Sequence, residues 1–210
     1  MFIGHFAIAY IITYLYPSIP LWVALLGVSF PDLLWPILVF LGVEKVKVNS
    51  DSPLQKDLKF INYPYSHSLV LSTMLAFIFG GALSILLNNS LILFVFPILS
   101  ASHWFLDVIV HQKDLPLLGF SKRDIKVGLG LWNYGKVAFI TEYIFYIIIT
   151  LIFAPTNLLP LLLILGTIFH ILNMNSFLGI TKNNIFAKGK YTYPIITLLG
   201  FTLFIILASL

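Results

Sequence analysis

Apolar segments long enough to form helices occupy most of this 210-residue sequence and limit what it can fold into. Hydrophobic residues make up 60% of the chain and charged residues 10%, whereas soluble domains average about 45–50% and about 25%. No stretch is long enough for a separate soluble domain. We therefore predict a single all-α domain over residues 1–210, folded as a polytopic transmembrane helical bundle.

Seven apolar runs predict the helices, and the turns between them predict the topology. The predicted helices span residues 2–16, 20–42, 67–87, 90–111, 136–154, 157–174 and 192–210. Short uncharged turns join the first six in pairs, which gives three hairpins and a last C-terminal helix. All 12 Lys and Arg lie in or beside the long loops 43–66, 112–135 and 175–191. The positive-inside rule then places these loops and the N-terminus in the cytoplasm and the C-terminus outside, in a cytoplasmic (inner) membrane.

Ionisable side chains inside or at the ends of these apolar helices indicate a functional site, because such groups are costly in hydrocarbon. They are histidines and carboxylates, which bind divalent metals, and the sequence has no cysteine to add a thiolate. We take as candidate metal ligands His5, Asp32, His67, His103 and Asp107, with His111, Glu142 and His170 as possible additions.

The distance of these groups from the short turns predicts their depth in the membrane. His5, Asp32, His103, Glu142 and His170 each lie about 14 residues along the chain from the centre of their own turn. At about 1.5 Å per residue they share one layer about 21 Å from the outer turns, in the cytoplasmic half of a core about 30 Å thick. The other candidates lie nearer the cytoplasm. The site is therefore predicted to open inward, with helices five and six beside helix four.

Spacing along the helices indicates which candidates share a face. His103, Asp107 and His111 recur at i, i+4 and i+8 and can present two or three ligands to one metal. The alternative is a polar stripe that forms hydrogen bonds between packed helices. Asp32 lies between two prolines, which predicts a kinked or broken helix with freed carbonyl groups. Its alternative role is an N-cap of the second half-helix.

The remaining candidates have weaker support. His67 begins the third predicted helix, where Ser66 can act as a cap and Ser68 can bond to the imidazole. Alternatively, His67 is an interfacial histidine. Glu142 and His170 can line the same cavity, or can pair only with each other as a contact between helices.

Four short motifs lie within residues 1 to about 120: Gly4-His5, Phe30-Pro31-Asp32, Tyr65-Ser66-His67-Ser68, and Ser102-His103 followed by Asp107. In type and order they resemble the motifs of the inner-membrane metal-dependent hydrolases. The order of ligand types is also similar to that of zinc-dependent phospholipase C. This second resemblance implies that Asp32, His67, His103 and Asp107 bind one metal, and that His5 and Asp107 serve a neighbouring one. The sequence departs from the hydrolase pattern at residues 33–35 and 62–65.

These resemblances imply a metal-dependent hydrolase that acts on a phosphoester or a lipid-like substrate at the cytoplasmic leaflet. The expected metal is zinc, with Mn or Fe as alternatives, and Asp32 and Asp107 are the expected catalytic residues. Lys113, Lys122 and Arg123 are expected to attract an anionic headgroup. The expected partners are membrane lipid and an amphiphilic or phosphorylated small molecule. Nucleic acid is not expected, because the net charge of +4 is carried by loops.

Two other functions fit the same residues. One is an ion- or proton-coupled transporter, although the sequence shows no internal repeat and no ionisable residues in the outer half of the bundle. The other is a metal-stabilised membrane scaffold without catalysis. The loop 112–135 is either an interfacial segment anchored by Trp132 or a lid over the inward mouth.

Overall fold

The computed structural model describes residues 1–121 and 123–210, which form an all-helical bundle. The helices are α1 (Ile3–Leu15), α2 (Leu21–Phe40), α3 (Pro64–His67), α4 (Leu69–Leu86), α5 (Leu91–Val110), α6 (Gly135–Phe153), α7 (Leu159–Leu172), α8 (Met174–Leu178) and α9 (Thr192–Ala208). The long loops carry two antiparallel strand pairs: β1 (Lys45–Lys47) with β2 (Lys59–Asn62), and β3 (Leu115–Pro116) with β4 (Lys126–Val127).

Each predicted helix has a counterpart in the structure, and six of the seven agree to within two residues at both ends. The third predicted helix is divided into α3 and α4, because Ser68 has an extended backbone with φ −90° and ψ 145°. The five-residue α8 was not predicted, since a helix of this length has no clear periodic pattern. The described residues therefore form nine α-helices rather than seven.

Four helical segments are long and apolar enough to cross a membrane. They are α2 (Leu21–Phe40), α4 (Leu69–Leu86), α5 (Leu91–Val110), and α6 together with the 3-10 turn before it (Leu131–Phe153). The other apolar helices, α1, α7 and α9, have 13, 14 and 17 residues, and a helix needs about 20 to span a typical bilayer. The membrane character predicted from composition agrees with the structure. The count of seven spans and their direction stay predictions.

Helix α2 runs unbroken through Pro31 and Pro36, so the predicted break at Asp32 is absent and Asp32 is not the N-cap of a second half-helix. A proline removes one N–H group from a helix, and a neighbouring helix can supply a donor to a carbonyl in that turn. Here the Nδ1 atom of His103 lies 2.7 Å from the Val28 carbonyl oxygen, three residues before Pro31.

Helix α2 lies at the centre of the bundle and contacts α1, α5 and α9, while α4 packs on α5 and α1 packs on α6. Its contact with α5 is close at Gly27, where an added Cβ atom would lie 2.9 Å from Leu99 Cδ1. This close approach places Asp32 of α2 opposite the polar face of α5, which carries His103 and Asp107.

Candidate metal centre

Five predicted ligands meet where α1, α2, α3 and α5 come together. Two overlapping groups of three side chains can each hold a metal ion, and their ligand atoms lie within 4.8 Å of one another. One group is His5, His103 and Asp107, and the other is Asp32, His67 and His103. Four of the five side chains are buried, whereas 16% of the Asp32 side chain is exposed. The prediction that buried histidines and carboxylates can form a metal site is thus supported by their arrangement.

Imidazole nitrogens and carboxylate oxygens alternate around this site. His103 Nε2 lies 3.5 Å from Asp32 Oδ2 and 3.2 Å from Asp107 Oδ2. His67 Nε2 lies 3.2 Å from Asp32 Oδ1 and 4.0 Å from Asp107 Oδ2, and His5 Nε2 lies 3.2 Å from Asp107 Oδ1. Ligand atoms that share an ion at about 2.0–2.2 Å lie about 3–4 Å apart. These separations therefore fit a metal site.

The hydrogen bond from His103 to Val28 fixes the ring for metal binding. A carbonyl oxygen only accepts hydrogen bonds, so His103 Nδ1 carries the proton that is donated to Val28. In the neutral ring the lone pair is then on Nε2, which faces both carboxylates and has no hydrogen-bond partner among the described residues. Metal-binding histidines usually donate their other N–H group in this way.

A hydrogen-bonded chain fixes His67 in the same form. The Ser66 hydroxyl donates its one proton to Glu44 Oε2 at 2.6 Å. Ser66 Oγ must then accept from His67 Nδ1, which lies 2.7 Å away. Glu44 is held in turn by the backbone N–H groups of Tyr65 and Ser66, at 2.8 and 3.0 Å. In the neutral ring the lone pair of His67 is then on Nε2, which lies 3.2 Å from Asp32 Oδ1.

Glu44 was missed in the sequence, and Ser68 was wrongly expected to bond to the imidazole. Ser66 makes that contact, and Ser68 Oγ has no partner among the described residues. Glu44 is only 1% exposed although it lies in a long loop. Burial raises the pKa of Glu44 above its ordinary value, and the hydrogen bonds from Ser66 and Tyr65 oppose this shift. One available signal was its position directly after the apolar run that ends at Val43.

His111 lies beside the cluster but belongs to neither group of three. Its Nε2 atom is 3.8 Å from Asp107 Oδ2, and its Nδ1 atom is 3.3 Å from Asp114 Oδ1. The Trp132 ring covers it, with the two ring centres 4.2 Å apart. Trp132 is only 8% exposed, so its ring packs against the site and is not free to act as an interfacial anchor.

Glu142 and His170 also lie outside both groups of three. Glu142 Oε1 accepts hydrogen bonds from the backbone N–H groups of Phe2 and Gly4, so it holds the start of α1 next to His5. His170 Nε2 donates to the Phe139 carbonyl at 3.1 Å, and its ring stacks on the Phe139 ring. The described residues show no ion pair between Glu142 and His170. Their expected role as metal ligands has no support in this geometry.

A cavity of about 630 Å³ adjoins the cluster and continues between α7 and α9. Its polar lining includes four residues of the site or beside it, Asp32, His67, Asp107 and His111, together with Gln55, Asn173, Tyr193 and Thr197. Trp35 and Trp132 also line it, and their indole N–H groups have no hydrogen-bond partner among the described residues. Lys113 and Arg123 are exposed and do not line this cavity, and Lys122 lies outside the described residues.

Comparison of the chain with protein-family models, with curated proteins and with solved structures finds no match. The two family resemblances suggested by the motifs therefore stay predictions. The function is argued below from the geometry of the site.

Proposed function

We propose that this protein is a membrane-embedded metal-dependent hydrolase that acts on a phosphoester of an amphiphilic substrate at the cytoplasmic leaflet. The observation that carries this proposal is the fixed orientation of two buried imidazoles. His67 and His103 both have Nδ1 committed to a hydrogen bond and direct Nε2 at the carboxylates of Asp32 and Asp107. Such a donor set suits zinc, and Mn or Fe less closely.

The metal would be held by Asp32, His67, His103 and Asp107, with His5 beside them. Because His103 Nδ1 already bonds to Val28, His103 offers one lone pair and completes only one of the two groups at a time. A divalent metal in such a site supplies a Lewis acid that activates water near pH 7 and offsets phosphoryl charge.

The two carboxylates have different surroundings and are assigned different roles. Asp32 lines the cavity with 16% of its side chain exposed, so it is placed to accept a proton from an attacking water. The side chain of Asp107 is only 3% exposed, lies near His5 and His103, and accepts from the amino group of Met1. We assign proton transfer to Asp32 and the fixed metal ligand to Asp107.

The indole N–H groups of Trp35 and Trp132 are assigned to the phosphoryl oxygens of the substrate. A buried donor without a partner costs about 1–3 kcal/mol, and both groups line the cavity that contains Asp32. A phosphoester has the acceptor oxygens that such donors require. In contrast, the Trp104 indole already donates to the Pro116 carbonyl at 3.1 Å and is not available.

The test of this proposal is hydrolysis by purified protein in lipid nanodiscs, supplied in turn with zinc, manganese and iron. The substrates are p-nitrophenyl phosphate, bis-p-nitrophenyl phosphate and an alkyl phosphodiester. We expect metal-dependent turnover that falls about 100-fold or more in Asp32→Asn and is unchanged in Asp51→Asn, an exposed loop residue. Bound metal without turnover of any substrate would contradict the hydrolase and favour the scaffold.

A further inference from the structure

We infer that the groove between α7 and α9 binds the hydrocarbon tail of a lipid whose phosphate ester reaches the metal centre, and that this lipid enters sideways from the bilayer. The inference deepens the proposed function and rests on it. We call this feature the tail groove and define it by cavity-lining residues on the two helices: Leu165, Ile168, Leu172, Gly200, Leu203 and Leu207.

The tail groove belongs to the same cavity as the metal ligands. Tyr193, which contacts Trp35, and Leu207 both line this cavity on α9. They are 14 residues apart on one helix, which is about 21 Å. This length exceeds half of a hydrocarbon core about 30 Å thick. A chain bound here would extend through the depth of one leaflet while its headgroup stayed beside Asp32.

The tail groove is open on the outer surface of the bundle. Leu172 is 73% exposed, Leu199 is 61% exposed and Leu203 is 50% exposed, and all three line the cavity. On an apolar helix in a bilayer, this surface faces hydrocarbon rather than water. A lipid can therefore reach the cavity without leaving the membrane, whereas the apolar lining offers little to a polar solute.

The part of the cavity beside the metal ligands suits a headgroup that has acceptor oxygens. Trp35 and Trp132 offer unpartnered N–H donors, and Asp32 and Asp107 add negative charge. None of the described lining residues is Lys or Arg, and the amino group of Met1, which also lines the cavity, is already paired with Asp107. A phosphate ester therefore needs a cation between it and the carboxylates, which the proposed metal provides. Apolar and polar parts together fit a phospholipid or an alkyl phosphate better than a free phosphate.

Gly200 lines the tail groove, and substitutions of different size at this position test it. A Cβ atom at this position would lie 3.6 Å from Phe2 Cζ, an ordinary contact distance, so alanine fits. A leucine would project further toward Phe2, which also lines the cavity. Gly200→Leu should therefore block the groove, and Gly200→Ala should not.

The probe is a long-chain alkyl phosphate with a diazirine near the end of its chain, added to metal-loaded protein in lipid nanodiscs. After photolysis, the labelled peptides are mapped by mass spectrometry. We expect labelling concentrated in α7 and α9, reduced about tenfold or more by Gly200→Leu. Gly200→Ala should keep the wild-type pattern, as should Ile206→Trp, a bulky change at an exposed position of α9 that does not line the cavity.

Metal content and hydrolysis of p-nitrophenyl phosphate, which has no tail, are measured on the same variants. Retention of both in Gly200→Leu, with loss of labelling, would support the tail groove and show that the variant is folded. Labelling spread evenly over the lipid-facing helices, or unchanged in Gly200→Leu, would contradict the tail groove but not the proposed hydrolase. Labelling confined to α7 and α9 in a protein that takes up no metal would support the groove and contradict the hydrolase.

Discussion

At the scale of single residues, the orientation of His67 depends on two side chains that never reach the metal. Ser66 accepts a hydrogen bond from His67 and donates one to Glu44. Glu44 in turn accepts hydrogen bonds from backbone N–H groups. Such outer partners set the tautomer and the ring orientation of a ligand histidine. Metal affinity should therefore depend on Ser66 and Glu44 although neither is a ligand.

We predict that Ser66→Ala lowers zinc affinity about 10–100-fold, because it removes the acceptor for His67 Nδ1. Affinity is measured by titration against a competing chelator. The matched control is Ser68→Ala, which removes a hydroxyl two residues away that has no hydrogen-bond partner among the described residues. Equal affinities in the two variants would show that the chain from His67 to Glu44 does not act on the metal.

The ligand residues could be predicted from the sequence because a charged or imidazole group stands out within an apolar helix. His5, Asp32 and His103 were each recognisable as polar residues within an apolar helix. The structure brings them together in two groups that share His103. Glu44 and Trp35 could not be predicted in the same way. Glu44 lies in a loop whose closure over Ser66 depends on the fold, and the role of Trp35 rests on its missing hydrogen-bond partner.

At the scale of elements, the close approach of α2 and α5 holds the two halves of the site together. Asp32 comes from α2, and His103 and Asp107 come from α5. Gly27 allows the approach, since an added Cβ atom would lie 2.9 Å from Leu99 Cδ1 and 3.0 Å from Leu99 Cβ. The helix pair is therefore sensitive to one methyl group at this position.

We predict that Gly27→Ala destabilises the protein by about 1–3 kcal/mol, because Leu99 must move to admit the methyl group. The matched control is Gly81→Ala on α4, where the nearest side-chain atom to the new methyl group is Leu93 Cδ1 at 3.4 Å. Thermal unfolding in detergent measures both. A Gly27→Ala variant as stable as Gly81→Ala would contradict the tight packing of α2 on α5.

Helix positions followed from the apolar periodicity, whereas their breaks did not. The extended residue Ser68 and the short α8 depend on contacts with other segments and leave no periodic signal. The prolines of α2 gave the opposite error. They predicted a kink or a break, but the helix continues without a break, and the ring of His103 bonds to the Val28 carbonyl in the turn before Pro31.

At the scale of the whole molecule, the basic loops predict which side of the membrane the site faces. We predict that reporter fusions near residues 89 and 156 lie outside and that fusions near residues 50, 120 and 185 lie inside. The reason is that every Lys and Arg lies in or beside the three long loops. An outside signal from the loop that contains Arg123 would contradict both the topology and the inward-facing site.

Depth alone was an incomplete guide to the site. Distance from the turns placed five polar residues in one layer, and the structure joins His5, Asp32 and His103 of that layer. Glu142 and His170 lie instead against backbone groups of α1 and α6. Equal depth fixes the height of a residue in the bundle but not the direction of its side chain, which depends on helix rotation and packing.

The most direct test of the central claim is the metal content of the purified protein, measured by elemental analysis after isolation and after titration with zinc. We predict stoichiometric binding that is lost in His103→Ala and in Asp107→Ala and largely kept in His111→Ala. His170→Ala is the matched control, because this histidine shares the predicted depth but belongs to neither ligand group. Wild-type protein that holds no Zn, Mn or Fe and takes up none, or equal loss in His170→Ala and His103→Ala, would contradict the account.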